Sequence, residues 1–508
     1  MSNAASYFVD RHVAEGRGDK IAFREVGTGR SITYGALAAQ TDQAAAALRT
    51  EVAAPEERMA MLVLDQIEFP VLFWGALKAG VIPVPLNTLL AGPVYDVILR
   101  DSRATTLVVS EALWHTVSDV LAANPYLKRV IVIGAARDGA VAYDAFMQKA
   151  GAPAPLFDAC DDETAFWLYS SGSTGQPKGV HHVHSALRAT ADTYGARVLG
   201  MREDDVVFSA AKFFFAYGLG NAMTFPMSVG ATTVIFAGRP TPDGVTDILA
   251  QERPTVFCGV PTLYAAMVAH IEGHGAPDVP LRICISAGEA LPEDVGSRWQ
   301  AQMGVEILDG VGSTEMLHIF LSNAPGDVEY GTSGVPVPGY AVRLVDDGGV
   351  DVATDEVGEL LVNGASAAGG YWNKRDKTRA TFEGVWTRTG DKYIRRADGR
   401  FVYCGRTDDM FKVSGIWVSP FEVEQAITSH AAVLECAVVA ARDADGLEKP
   451  KAFVVVQGDQ PDGLEDALRD HVKDRIGKWK YPRWIVFADS LPKTATGKIQ
   501  RFKLREDA

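Results

Sequence analysis

Short apolar runs alternate with amphipathic stretches along the first half of the chain. Thr33 caps a helix that runs to about residue 50, with Leu37, Ala44 and Leu48 on one face. Residues 59–64 read as a strand, 69–79 as a helix, 81–86 as a strand, 94–103 as a helix and 105–110 as a strand. A further helix leads to a strand at 129–133. Continuous apolar strands separated by helices are the pattern of a sheet covered on both faces, so a doubly wound α/β fold is expected. The same alternation resumes with a helix from about 185 and strands at 205–209, 232–236, 255–259 and 281–286. The stretch 213–238 carries no charged residue, but Gly218, Gly220, Asn221, Pro226 and Gly230 interrupt it. A buried helix, a turn and a buried strand fit it better than a bilayer span.

From residue 327 the texture changes to short strands and turns, at 341–344, 358–362 and 386–389, which predicts a small β-rich subdomain. Beyond 405–409 the chain reads as a separate small α+β unit. Ser419-Pro420-Phe421-Glu422 opens a helix with a capping box and a proline at its first position. Strands follow at 434–440 and 451–456, and Leu464, Leu468, Val472 and Ile476 form an apolar stripe on a helix. The expected division is a large N-terminal domain over 1–407 and a small C-terminal domain over 408–508.

Of the 508 residues, 47% are apolar, enough for sizeable cores, and 64 acids against 49 bases leave a net charge of −15. Such a chain is a poor partner for nucleic acid or an anionic membrane, so an anionic substrate has to be held by a local site. Cys160, Cys258, Cys284, Cys404 and Cys436 are scattered without disulfide or zinc spacing, which fits reduced cytoplasmic thiols. The N-terminus has acids and no apolar core, so no signal peptide is expected.

The richest chemistry lies in Tyr169-Ser170-Ser171-Gly172-Ser173-Thr174-Gly175-Gln176-Pro177-Lys178-Gly179-Val180. Three hydroxyls, three glycines and a lysine fall between Ser171 and Gly179, directly after the apolar strand 166–169. Glycine lets backbone N–H groups close around an anion, the hydroxyls add donors, and Lys178 adds a charge. The order differs from a Walker A loop, which ends Gly-Lys-Ser/Thr. Gly310-Val311-Gly312-Ser313-Thr314-Glu315 places hydroxyls and a carboxylate after a glycine turn, and a carboxylate beside a phosphate loop suits Mg²⁺. In Thr389-Gly390-Asp391 an acid follows a tight turn and can accept from both hydroxyls of a ribose, with Arg406 as a further donor. Pro492-Lys493-Thr494-Ala495-Thr496-Gly497-Lys498 ends the series.

In this order the set resembles the adenylate-forming superfamily, which includes acyl-CoA synthetases, luciferases and peptide-synthetase adenylation domains. The resemblance covers nearly the whole chain. It implies a large N-terminal and a small mobile C-terminal domain with the active site between them. It also implies two steps: attack of a carboxylate on the α-phosphate of MgATP, then displacement of AMP by a thiol. Carried onto this sequence, Ser171, Thr174 and Lys178 belong to the phosphate loop. Gly288 and Glu289, with Asp309 and Gly310, wall the adenine. Thr314 meets the α-phosphate and Glu315 the Mg²⁺. Asp391 and Arg406 hold the ribose, Asp408 is the hinge, and Lys498 reaches the α-phosphate during adenylation. Lys498 also matches a family position of the kind that is acetylated.

Three stretches resemble the benzoate and 4-hydroxybenzoate CoA ligases: 209–220, 313–320 and 412–418. The resemblance places Ala216, Tyr217, Gly312, His318 and Ile319 around an aromatic ring, and Lys412, Gly415 and Trp417 at the CoA step. Many members carry a histidine where Ala216-Tyr217 stands, so no role of that histidine is carried over. The cluster His181-His182-x-His184 lacks a second ligand group for a metal and reads as a loop-to-helix segment. The implied activity is an aryl acid–CoA ligase using ATP, Mg²⁺ and CoA, in the cytoplasm, with a homodimer left open. Loading of a separate carrier protein is the alternative thiol step. A non-catalytic nucleotide-binding protein would not need Lys178, Glu315 and Lys498 together.

Overall fold

The computed structural model describes residues 3–51, 54–152, 155–171, 177–413, 416–443, 447–458, 460–477, 480–493 and 499–506. Thr174, Gly415 and Lys498 lie outside these residues.

A nine-stranded sheet positions the site. Six of its strands run parallel, in the spatial order Ile307–Gly312, Ile283–Ser286, Val256–Gly259, Val206–Ser209, Thr232–Ile235 and Ile21–Glu25. From Val206–Ser209 the chain goes first to one side, at Thr232–Ile235, and then to the other, at Val256–Gly259. Open α/β sheets bind ligands outside the carboxyl ends of their strands at such a reversal. A second, all-parallel five-stranded sheet holds Ile82–Pro85, Arg58–Leu62, Thr106–Ser110, Arg129–Ile133 and Val141–Ala142. The helix Glu68–Ala79 is buried along its whole length, with Phe69, Phe73 and Trp74 fully enclosed against Phe8, Phe166 and Phe213. Each such ring contributes about 2–3 kcal/mol of burial. The predicted uncharged stretch is the short helix Ala216–Leu219, two further buried turns and the strand Thr232–Ile235. No described helix is long and apolar enough to cross a membrane.

The β-rich subdomain is an antiparallel sheet of Ala341–Val345, Val357–Asn363, Trp386–Arg395, Phe382–Glu383 and Phe401–Arg406. The smaller C-terminal domain has a sheet of Val433–Arg442, Glu448–Val456 and Trp484–Phe487, covered by Pro420–Thr428 and Leu464–Ile476. Leu464, Leu468 and Val472 are buried as their spacing predicts. The capping box is only half formed. Ser419 accepts from the Glu422 N–H, but the Glu422 carboxylate turns to Lys480 at 2.6 Å, because a full charge outcompetes a backbone donor. The last described helix, Arg501–Glu506, returns to the turn after Phe401–Arg406. There Arg505 donates to the Asp408 carbonyl and to Asp409 Oδ1, each at 2.8 Å. Arg501 binds Glu424 at 2.7 Å, and a bridge pairs Lys493 with Ile499.

Candidate active site

Strand Thr164–Ser171 leads into the glycine-rich segment as the apolar pattern predicts, but Lys178 is not in a loop. The strand Pro177–Val183 pairs antiparallel with it, Lys178 opposite Ser170 and Pro177 opposite Ser171. Of the histidine cluster, His181 and His182 lie in this strand rather than in a loop, and His184 opens the helix His184–Thr190, as expected of a segment that leads into a helix. Successive side chains point to opposite faces. His181 therefore stacks on Trp167, 4.5 Å between ring centres, while His182 stacks on Phe166 at 5.1 Å. Burial holds both imidazoles neutral, at about 4 and about 3.

The turn after Ile307–Gly312 carries Thr314 and Glu315 and brings Glu315 beside Lys178. Lys178 Nζ is 3.6 Å from Glu315 Oε1, both side chains being largely enclosed. Burial lowers the Lys178 pKa, with Glu315 pulling the other way. Sequence reading did not single out Tyr371, yet its hydroxyl donates to Glu315 Oε1 at 2.7 Å. Leu317, three residues after Thr314, takes a left-handed φ of 64°, a conformation that is costly for a branched residue and that recurs at functional sites. It ends the tight turn that leaves Glu315 half-buried and His318 buried.

Gly288 and Glu289 follow the strand Ile283–Ser286, with Gly288 exposed and Glu289 half-buried. Asp309 is buried within the strand Ile307–Gly312. It is 4% exposed, and burial pushes its carboxyl up to about 8 against the Leu291 N–H and the Ser286 hydroxyl. Gly310 is buried beside it. Asp391 and Arg406 meet across neighbouring strands at 2.9 Å.

Tyr217, Ala216, His318, Gly312 and Ile319 come together at the carboxyl edge of the parallel strands. The Tyr217 hydroxyl is 3.0 Å from the carbonyls of both Gly259 and Ile285, which end two of those strands. His318 is 2% exposed, and burial holds its imidazole down at about 3. The neutral ring therefore donates from Nε2 to the Tyr217 carbonyl at 3.3 Å. Its ring centre lies 4.5 Å from that of Phe225, 5.3 Å from Tyr194 and 5.8 Å from Tyr217. Two glycines make this approach possible. A Cβ on Gly220 would come within 2.3 Å of the imidazole, and one on Gly312 within 2.5 Å of the His318 carbonyl. Ile319 is fully buried behind them, whereas Ala216 and Tyr217 stay partly open.

Asp408 is exposed in the turn after Phe401–Arg406. Lys412 and Trp417 are opposed in the hairpin of Phe411–Val413 and Ile416–Val418.

The AMP-binding enzyme profile matches residues 10–372, and the profile of the AMP-binding enzyme C-terminal domain matches 422–498. The chain is 55% identical to a 4-hydroxybenzoate–CoA/benzoate–CoA ligase of Rhodopseudomonas palustris, covering 99% of this chain and 94% of that protein. It is 52% identical to a benzoate–CoA ligase of Thauera aromatica, over 99% and 95% of the two chains. The crystal structure of a benzoate CoA ligase from Burkholderia xenovorans superposes with a TM-score of 0.92 at 49% identity, over 99% of this chain and all of that one. The parallel sheet, the residues gathered at its carboxyl edge and these full-length matches agree: the chain belongs to the adenylate-forming superfamily of AMP-binding enzymes.

Proposed function

We propose that the chain is an AMP-forming aryl acid–CoA ligase acting on benzoate or a hydroxybenzoate. The observation that carries this reading is full-length similarity, above half identity, to ligases named for those acids. The enclosed group of Tyr217, His318, Ile319 and Phe225 supports it, being apolar and aromatic with one neutral polar ring.

In the first step a carboxylate oxygen of the acid bonds to the α-phosphorus of ATP, and the bond to pyrophosphate breaks. In the second the CoA sulfur bonds to the acyl carbon and AMP leaves. Lys178 would hold the phosphate charge, Thr314 the α-phosphate, and Asp391 with Arg406 the ribose. Lys498 would reach the reacting phosphate, where charge develops. The Glu315 carboxylate suits Mg²⁺, which takes one or two carboxylates and completes its shell with phosphate oxygens and water. No group of three or more His, Cys, Asp or Glu side chains among the described residues forms a metal cage of its own. Mg²⁺ would neutralise phosphate charge there.

The same reading divides the chain at 407/408 and has the small domain turn about Asp408, exchanging the Lys498 loop for Lys412, Gly415 and Trp417. It extends to a cytoplasmic location and to a homodimer. The test is a panel of aromatic acids, acetate and palmitate assayed for CoA-dependent AMP formation. Benzoate or a monohydroxybenzoate should give the highest kcat/KM. Acetate or palmitate exceeding every aryl acid would overturn the reading.

A further inference from the structure

Tyr371 stands between the two charged side chains on the phosphate side. Its backbone belongs to the two-residue strand Gly370–Tyr371, which pairs antiparallel with Pro177–Val183, the strand that carries Lys178. On either side of it, Gly369 N–H donates to the His181 carbonyl and Trp372 N–H to the Gly179 carbonyl, each at 2.9 Å. The same segment is tied to the Glu315 turn, because Ala368 N–H donates to the Glu315 carbonyl at 2.8 Å. The side chain closes the triangle. The phenol donates to Glu315 Oε1 at 2.7 Å, and Lys178 Nζ lies 3.4 Å from the phenol oxygen and 4.4 Å from the ring centre. The ring is anchored at its other end, where the Tyr371 N–H donates to Thr378 Oγ1 at 3.0 Å.

Lys178 and Glu315 alone would close into a contact pair, and each would neutralise the charge the other offers to a ligand. The phenol holds the carboxylate with a donor of its own. When a phosphate draws Lys178 away, Glu315 keeps a hydrogen bond, so the separation does not leave a half-buried carboxylate unpartnered. The ring face keeps the ammonium near by cation–π attraction without binding it as tightly as a carboxylate would.

We propose that Tyr371 is a positioning residue for metal–nucleotide binding: it orients Glu315 toward the cation and keeps the Lys178–Glu315 pair open for the phosphates. The proposal rests on the ligase reading for the identity of the nucleotide, but its test does not depend on turnover. Tyr371→Phe removes one oxygen and keeps the ring. Binding of ATP to the full-length protein is measured by titration calorimetry with Mg²⁺ and, separately, in EDTA. Loss of a hydrogen bond to a charged acceptor should weaken MgATP binding by about tenfold, and metal-free ATP, which loses only the opening of the Lys178–Glu315 pair, by several-fold less. In a Glu315→Gln background the same substitution should cost MgATP binding nothing further, because the carboxylate it orients is gone. Equal weakening of both forms, no weakening, or an additive loss in the double variant would overturn the proposal. A wild-type protein that binds MgATP yet activates no aryl acid would instead overturn the ligase reading and leave the role of Tyr371 standing.

Discussion

Asp391 and Arg406 are Cα partners across two antiparallel strands, and their side chains form an ion pair at 2.9 Å. The carboxylate is buried and the guanidinium exposed, so the arginine fixes the acid from the solvent side. Asp391→Asn keeps the shape and removes the charge proposed to accept from ribose. Hydrogen bonds to charged groups contribute about 1.5–3 kcal/mol, so KM for MgATP should rise by about tenfold or more while KM for benzoate stays within about twofold. Steady-state kinetics with each substrate varied separates the two. Equal rises would remove Asp391 from the nucleotide side.

Ala216 starts a short helix at the mouth of the aromatic enclosure and is only partly covered. Ala216→Leu adds three carbons where a ring is to fit, and overpacking costs about 1–3 kcal/mol. The expected result is a rise in KM for aryl acids of about tenfold with MgATP affinity intact. Unchanged aryl-acid kinetics would place the ring elsewhere.

The buried carboxyl of Asp309 makes stability depend on pH. Its folded value of about 8 lies above the ordinary 3.8, with burial as the main cause. Between those values the folded chain keeps a proton that the unfolded chain has released. Stability therefore declines as pH rises through that window and levels off above it. Asp309→Asn removes this contribution, so the stability of the variant relative to wild type should increase from pH 4 to pH 8. Urea midpoints across that range measure it. A constant difference would mean that the carboxyl is ionised throughout.

Two substitutions separate the half-reactions. Removing a donor aimed at developing charge costs about 10²–10³ in rate. Lys498→Ala should therefore nearly abolish acid-dependent pyrophosphate release and leave CoA attack on supplied acyl-adenylate largely intact. Acetylation of the same amine removes its charge and should act alike. Gly415→Leu should do the reverse, making adenylate but converting it slowly, since a side chain there would obstruct the path of the thiol arm. Normal adenylation by Lys498→Ala would dissociate the C-terminal motif from the chemistry.

The parallel strands were legible because their apolar runs are continuous. The strand Arg129–Ile133 has the bounds the sequence predicts, and the helix Glu68–Ala79 begins one residue earlier. Gly92–Ser102 stops one residue short of expectation, where Arg103 turns left-handed at φ 51°. Lys178 was readable as chemistry but not as strand, because Gly175, Pro177 and Gly179 carry the local signature of a loop. Pairing with Thr164–Ser171 overrides that preference. Tyr371 was not readable at all. It meets Glu315 across 56 residues and Lys178 across 193, and no spacing within the chain encodes such a meeting. His318 was readable as a pocket residue. Its neutrality was not, because that follows from enclosure by Tyr194, Phe225 and Tyr217.

The grip of Arg505 on Asp408 and Asp409 gives the tail a mechanical role. It spans 97 residues of sequence to join the chain's end to the proposed pivot. The segment before that helix is held by a bridge between Lys493 and Ile499. In the proposed swing about Asp408, two guanidinium contacts and one six-residue helix would tie this segment to the pivot. Axle and crank are then one piece. Loosening Arg505 would then let the proposed pivot and the tail fall out of step while each kept its own fold.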